Sequence, residues 1–240
     1  MRCVILQPSF VPWRGFFRLI AKADRFVFYD DVQYDKHGWR NRNRVVENAE
    51  LKWLTIPVLG STGILLRDAK IDWSDWWVRK MERRLRSVYG ATEYGESTIE
   101  LMCRALAARP DRLVDLTIPL TVEIATTLGL GSSNMFEVSS KMSVEGERTG
   151  RLVDICAKVG ATEYLSGPSA KSYLNESEFE HVGIKVMWED YEFPAEAATA
   201  ISRQKHLDEA SSILDFLAAS WSDATKYICE PHEIRGVGAP

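Results

Sequence analysis

The hydrophobic positions at the start of the chain predict a strand, a loop, a helix and a second strand. Residues 3–6 form a short apolar run typical of a buried strand, residues 7–12 read as the turn after it, and residues 25–30 resume as a strand. Between them, apolar side chains share one helical face and basic side chains share the other. The apolar face holds Trp13, Phe16, Phe17 and Ile20, and the basic face holds Arg14, Arg18 and Lys22. Such a unit favours a parallel sheet.

The next segment alternates between two kinds of side chain. If residues 39–46 form a strand, successive side chains point to opposite faces. One face would hold Trp39, Asn41, Asn43 and Val45, and the other Arg40, Arg42 and Arg44. Residues 52–58 and 66–71 are predicted as two more strands, antiparallel to this segment.

Helical and strand patterns alternate through the remainder of the chain. Ser74 is a suitable N-cap for a helix that ends at Gly90. The loop at 166–169 is predicted to precede a helix that runs through Tyr173 and Phe179. The other predicted elements are helices at 97–109, 111–128 (capped by Asp111), 147–159 and 205–219, and strands at 135–138, 164–165 and 184–188.

This alternation predicts an α/β fold: a mostly parallel sheet with flanking helices, Rossmann-like or nucleotidylyl-transferase-like, with a hairpin-rich insertion. We expect one domain over residues 1–235. Within it, the hairpin insertion covers about 36–72 and a helical portion covers about 74–130. Residues 236–240 are expected to form a frayed tail.

Composition narrows the functional class. The chain has 240 residues, 45% of them hydrophobic and 27% charged, which is ordinary for a globular protein. A net charge of -4 argues against a general nucleic-acid binder. The four cysteines are far apart and lack metal-ligand spacing, so we expect reduced thiols in a cytoplasmic protein without membrane insertion.

Candidate chemistry is concentrated in residues 29–44, which follow a predicted buried strand. Asp30 and Asp31 emerge there, at the end of the sheet where open parallel sheets bind ligands, so either is a candidate base or ammonium anchor. Capping of a turn is the alternative for each of them. His37 titrates near neutral pH and is the third catalytic candidate, with simple surface exposure as its alternative.

Nine residues are predicted to bind substrate. Amide side chains suit the orientation of a carbonyl or sugar hydroxyl, cationic ones suit an anion, and Trp39 suits stacking on a ring. The loop at 166–169 offers backbone amides at a helix start. The set is Gln7, Lys36, Trp39, Asn41, Arg42, Asn43, Ser166, Gly167 and Tyr173. The alternatives are hairpin capping for the amides and solvated surface positions for the cations.

Several blocks of the chain resemble the WbqC-like family of bacterial proteins. The most specific are Gln7-Pro8, Pro12-Trp13 with Gly15-Phe16-Phe17, residues 29–34, Asn41-Arg42-Asn43 and residues 54–57. Later blocks include Tyr164-Leu165-Ser166-Gly167 and Ser212-Ile213-Leu214-Asp215. The chain departs from the family pattern near its end. Residues 195–202 replace a segment with tyrosine and glutamine, and Ser220-Trp221 stands where a glycine is expected.

The resemblance implies a transferase that moves an acyl or aminoacyl group, possibly glycyl, onto an amino sugar or related amine. The setting it implies is bacterial surface-polysaccharide or secondary-metabolite biosynthesis. No cofactor is expected. The expected partners are a small-molecule or nucleotide-sugar substrate and an acyl or aminoacyl carrier protein. Two alternatives stay open: a non-catalytic protein that holds a nucleotide sugar or a carrier protein on the basic helix face at 79–86, and a nucleotidyltransferase-like enzyme.

Overall fold

Nine strands make up one central sheet and two small hairpins in the computed structural model, which describes residues 1–60, 63–204 and 207–235. The strands are β1 (Arg2–Leu6), β2 (Arg25–Phe28), β3 (Arg42–Glu47), β4 (Glu50–Thr55), β5 (Val58–Leu59), β6 (Lys70–Ile71), β7 (Phe136–Val138), β8 (Glu163–Ser166) and β9 (Lys185–Trp188). The helices are α1 (Arg14–Ala21), α2 (Asp75–Tyr89), α3 (Gly95–Ala107), α4 (Leu113–Thr127), α5 (Arg148–Lys158), α6 (Glu176–Glu180), α7 (Ala195–Arg203) and α8 (Ile213–Ser220). The predicted tail at 236–240 lies outside the described residues.

The central sheet has five parallel strands in the order β7-β2-β1-β8-β9. The chain therefore builds outward from β1 in one direction and then returns to the other side of β1 with β8. This reversal is a topological switch point, where the carboxyl ends of neighbouring strands open a crevice. The predicted α/β class, with a parallel sheet, flanking helices and antiparallel hairpins, is confirmed.

The hairpin region differs in detail from the prediction. The first strand begins at Arg42 and pairs antiparallel with β4 through a two-residue turn, Asn48-Ala49, in which both residues have positive φ. The prediction that 66–71 pairs with this strand is wrong, because β6 pairs with β5 instead. Residues Leu66–Asp68 form a 3₁₀ turn, which leaves only the last two residues as strand.

Trp39 was expected on the face of Asn41 and Asn43, and this was wrong. Because Trp39 precedes the strand, strand alternation does not fix its direction. Its ring lies 5.3 Å from that of Trp53, the residue paired with Arg44 in the hairpin register. Arg44 in turn lies over the Trp39 ring at 5.3 Å. Trp39 therefore belongs to the arginine face.

Helix α1 has no solvent side, contrary to the amphipathic prediction. Arg14 is 1% exposed and Arg18 is 3% exposed. The Arg14 guanidinium donates to the Tyr227 backbone oxygen at 2.9 Å and lies 3.5 Å from the Phe193 ring centre. The C-terminal segment thus covers the basic face of α1 and supplies its hydrogen-bond acceptors.

Arg18 is the centre of a buried ion-pair network. Its Nε donates to Glu189 at 3.0 Å, and its terminal nitrogens donate to Glu233 at 2.8 Å and to the Ile228 oxygen at 3.1 Å. Lys22 also pairs with both carboxylates. A buried guanidinium with this many acceptors keeps its charge, and the pairing raises the pKa of Arg18 despite desolvation.

Several predicted helix boundaries were wrong. Helix α4 is capped by Arg112 and not by Asp111, and the segment after residue 167 is a 3₁₀ turn (Pro168–Ser172) followed by the five-residue α6. Helix α8 begins after Ser212, whose hydroxyl accepts the Leu214 backbone N–H. Trp221 ends α8 with φ 43°, a left-handed conformation that favours glycine, the residue expected there from the resemblance.

One buried carboxyl supports the helical portion. Asp215, in the first turn of α8, is fully buried and accepts the Tyr89 hydroxyl at 2.7 Å and the Val46 backbone N–H at 3.1 Å. Burial raises the pKa of Asp215 to about 7. Asp215 thereby ties α8 to both α2 and the β3 strand.

The cysteines are free thiols, three buried and one half-buried. Among the described helices, none combines the length and apolar composition needed to cross a bilayer.

Candidate functional site

A cavity of about 1090 Å³ opens at the switch point between β1 and β8. Its floor includes Ile5 and Leu6 at the end of β1, and Tyr164 and Ser166 at the end of β8. A volume of this size suits a complete small-molecule substrate. Its walls come from the loop after β1, the start of α1, the chain around residues 39–44, the start of α5 and the loop after β8.

The loop after β1 is fixed to the hairpin by backbone and side-chain bonds. Phe10 donates its N–H to the Trp39 oxygen at 3.2 Å, and the Asn43 amide donates to the Val11 oxygen at 2.8 Å. Val11 has φ 38°, so the loop is held in a conformation that a valine alone disfavours. The hairpin therefore holds this cavity wall in place.

The cavity is cationic. Three arginines, Arg40, Arg44 and Arg148, line it, while no Asp, Glu or His stands among its described lining residues. None of the three lies within 4.0 Å of a carboxylate in the part of the chain that the structure describes. The buried Nε atoms of Arg40 and Arg44 have no hydrogen-bond partner there. A buried guanidinium nitrogen without a hydrogen-bond partner is costly unless a ligand satisfies it.

Arg40 is the most deeply placed of the three. Its terminal nitrogen donates to the Gln7 oxygen at 3.0 Å and to the Ser9 hydroxyl at 2.8 Å, which orients the group across the loop after β1. Burial lowers the pKa of Arg40 to about 10, still well above neutral pH. Arg40 therefore remains a desolvated cation that faces the cavity.

Aromatic rings make up much of the remaining wall. The rings of Trp13 and Tyr191 lie 5.0 Å apart, and the Tyr191 hydroxyl occupies the space that a side chain at Gly167 would need. Tyr29, Trp39 and Tyr173 also line the cavity. Aromatic faces beside guanidinium groups suit a ligand that joins a ring or acyl body to an anionic group.

Gly15 is required by the close approach of Trp13. A β-carbon at Gly15 would lie 2.3 Å from an atom of the Trp13 ring, so Gly15→Ala must displace that indole from the cavity wall. We expect a loss of about 1–3 kcal/mol in the free energy of unfolding, the usual cost of overpacking. Urea denaturation measures it. Gly150→Ala is the matched control, because it lies inside α5 with only a Glu178 carboxylate oxygen nearby, at 3.5 Å. Gly15→Ala should lower the free energy of unfolding, whereas Gly150→Ala should raise it. Equal changes in both variants would contradict the predicted clash between a side chain at Gly15 and the Trp13 ring.

The structure places half of the predicted site residues in this one cavity. They are Gln7, Trp39, Asn43, Ser166, Gly167 and Tyr173. The Gln7 side-chain amide makes no hydrogen bond to the described residues and is free for a ligand. By contrast, both ends of the Asn43 amide are engaged with the backbone, so Asn43 shapes the wall.

The acidic pair lies outside the lining. The Asp30 carboxylate accepts the Ser140 N–H at 3.0 Å and the Ser140 hydroxyl at 2.7 Å, so it caps the 3₁₀ turn Ser139–Lys141. Asp31 pairs with Arg151, which lies 5.8 Å from the centre of the Tyr29 ring. Asp31 therefore lies one layer behind the cavity, linked to its lining through Arg151 and Tyr29.

The other four predicted residues are also absent from the cavity lining. Lys36 and His37 are exposed. The Asn41 amide nitrogen donates to the Ile56 oxygen at 2.8 Å, and the Arg42 guanidinium donates to the His37 and Gly38 oxygens and stacks over Trp53. Asp31, Asn41 and Arg42 therefore do not share this cavity.

Sequence reasoning did not single out Arg40, Arg44, Arg148, Tyr29 or Tyr191. The arginines at 40 and 44 were grouped with Arg42 as one strand face, although Arg42 alone of the three is outside the lining. The sequence signal that could have identified Arg40 and Arg44 was their position next to Trp39 and Asn43, which were predicted to bind substrate. Nothing in the sequence marks Tyr191, which reaches the cavity from the loop after β9. Among the described residues, no cluster of His, Cys, Asp and Glu is arranged to hold a metal ion.

Fold and site together define an α/β protein with a cationic, aromatic cavity at its topological switch point. The chain belongs to the WbqC-like protein family, whose model matches residues 7–227. It is 35% identical over 234 residues to the uncharacterized protein Rv1507c of Mycobacterium tuberculosis, across 95% of this chain and 97% of that protein. No solved structure matches the chain.

Proposed function

We propose that the protein is a transferase that moves an acyl or aminoacyl group, possibly glycyl, onto the amine of an amino sugar or related compound. Its setting would be the biosynthesis of bacterial surface polysaccharides or secondary metabolites in the cytoplasm. The observation that carries the proposal is the set of unpaired arginines around the switch-point cavity. Such groups bind the phosphate of an activated substrate, and the aromatic wall accommodates its sugar ring or acyl chain.

The described lining constrains the mechanism, because it offers no base that works near neutral pH. Burial raises the pKa of Tyr191 to about 12 and also raises the pKa of Tyr29 and Tyr164. The lining residues therefore do not deprotonate the acceptor amine. The acceptor reacts as a neutral amine, and the donor carries a leaving group that can take up the proton.

A thioester donor meets this requirement. The amine nitrogen attacks the acyl carbon, a C–N bond forms, the C–S bond breaks, and the amine proton ends on the departing thiolate to give an amide and a thiol. The protein contributes position and charge. The Gln7 amide and the Ser166 and Ser169 hydroxyls line the cavity and can donate to the carbonyl oxygen as it gains negative charge.

A second candidate is a non-catalytic protein that holds a nucleotide sugar. The same lack of a base among the described lining residues favours it, because binding needs cations and rings but no proton acceptor. A nucleotidyltransferase-like activity has no such observation in its favour.

Incubation of the protein with a nucleotide amino sugar and a small acyl or glycyl thioester tests both candidates. A transferase releases one thiol for each acyl group that mass spectrometry finds on the sugar. If nucleotide sugars raise the melting temperature but no thioester is consumed, the protein only binds. If neither transfer nor stabilisation occurs with nucleotide sugars, nucleoside triphosphates or thioesters, both candidates are wrong.

A further inference from the structure

The solvent face of α2 carries a basic stripe around an exposed indole. At 100° per residue, Trp76, Arg79, Lys80 and Arg83 fall within about 100° of one another, opposite the buried Trp77, Met81 and Leu85. We call these four residues the α2 stripe. Trp76 is 64% exposed, and Arg79, Lys80 and Arg83 are all exposed. In the described part of the chain, no carboxylate lies within 4.0 Å of any of these three cations.

This stripe has the chemistry of a protein interface. Exposed tryptophan and arginine are the side chains that most often dominate binding energy at such surfaces. The chain has a net charge of -4, so the stripe is a local excess that orients an acidic partner. Three cations within about one helical turn, about 6 Å of rise, are too few for the row of phosphate contacts that nucleic-acid binding requires.

The stripe is connected to the mouth of the cavity. Arg84 lies at its edge and donates to the Trp53 backbone oxygen at 2.9 Å and to Glu47 at 2.7 Å. The Trp53 ring lies 5.3 Å from the Trp39 ring, and both indoles are about two-fifths exposed. Trp39 lines the cavity. An exposed aromatic path therefore runs from α2 to the site.

We propose that the α2 stripe docks an acidic acyl carrier protein, whose covalently attached thioester arm crosses Trp53 and Trp39 into the cavity. The arm is joined to its carrier through a phosphodiester, which stays at the carrier end of the arm and leaves the cavity arginines to the phosphate of the nucleotide-sugar acceptor. Its acyl end then meets the aromatic wall and the acceptor amine. This inference rests on the proposed acyl transfer and names the source of the donor.

Charge reversal on the stripe tests the docking. The probes are the acyl carrier proteins of the organism that encodes the chain, each carrying its phosphopantetheine arm, and the loaded arm as a free thioester. The variant Arg79→Glu with Arg83→Glu should weaken carrier binding at least tenfold and leave use of the free thioester unchanged. Carrier binding to the unchanged protein should also weaken as salt increases. Lys185→Glu is the matched control, an exposed lysine on β9 at the opposite end of the strands from the cavity, and should bind the carriers normally.

The remaining outcomes separate the two proposals. The docking inference is overturned if the carriers do not bind, or if Lys185→Glu reduces carrier binding as much as the double variant does. It is also overturned if the unchanged protein binds anionic phosphatidylglycerol vesicles and the double variant does not. Transfer from the free thioester without any carrier binding leaves the proposed function intact and contradicts only the docking of a carrier protein. Carrier binding without transfer from any thioester supports docking and contradicts the transferase.

Discussion

Arg40→Met should reduce the affinity for an anionic ligand on the order of 10- to 100-fold while costing the empty protein little stability. A hydrogen bond to a charged group contributes about 1.5–3 kcal/mol, which corresponds to that range. The side chain loses its bonds to Gln7 and Ser9, but the folded protein no longer keeps a cation that burial disfavours. The loss of these hydrogen bonds and the removal of the charge largely offset each other, so we expect the free energy of unfolding to fall by no more than about 1 kcal/mol.

Titration calorimetry with a nucleotide sugar, together with urea denaturation of the empty protein, measures both quantities. Arg40→Lys is one control, since it keeps the charge and should retain part of the affinity. Arg42→Met is the matched negative control, because Arg42 lies on the same segment and outside the cavity lining. An equal loss of affinity in the Arg40 and Arg42 variants would contradict the assignment of the site.

Asp215→Asn should flatten the pH dependence of stability between about pH 5 and pH 7. The pKa of Asp215 is raised to about 7 in the folded protein, while an unfolded aspartate has a pKa of about 3.9. Between these values the folded state holds a proton that the unfolded state has lost. Stability therefore falls as pH rises, by up to about 1.4 kcal/mol per pH unit, and this contribution is constant below pH 3.9 and above pH 7.

Urea denaturation at pH 5, 6, 7 and 8 gives the difference between the two proteins. Asparagine cannot ionise but can accept from Val46 and donate to Tyr89, so the native chain should lose about 2 kcal/mol relative to the variant from pH 5 to pH 7. Tyr89→Phe removes a hydrogen bond that lowers the pKa of Asp215, and should extend the fall to higher pH. Parallel curves for the native chain and Asp215→Asn would show that this carboxyl does not titrate as described.

The sheet was predictable because its strands are short apolar runs separated by helical patterns. Residues 3–6 and 184–188 carry that signal in their composition alone. The faces of α1 were not predictable in the same way. A helix with two arginines on one side reads as amphipathic. Only partners far away in sequence allow these arginines to be buried: Glu189 and Glu233 for Arg18, and the Tyr227 backbone oxygen for Arg14.

Half of the predicted site residues meet in the cavity because they lie in the loops after β1 and β8 or in the segment bonded to the first of these loops. Local composition could not say which arginine of residues 40, 42 and 44 faces inward. The prediction assumed that side chains alternate between faces from Trp39 onward. The strand starts at Arg42, so alternation does not apply to residues 39–41. The acidic pair was misleading because carboxylates that cap a turn and carboxylates that face a cleft look alike in sequence.

The closure of α1 by the C-terminal segment has a consequence for biosynthesis on the ribosome. Arg14 and Arg18 emerge early, but their acceptors at Tyr227, Ile228 and Glu233 follow 213, 210 and 215 residues later. Until those acceptors have left the ribosome, both guanidinium groups must stay hydrated, which keeps α1 and the neighbouring cavity wall from docking. Nascent chains that stall before Glu233 should consequently be sensitive to proteases, and resistance should appear only once residue 233 has emerged.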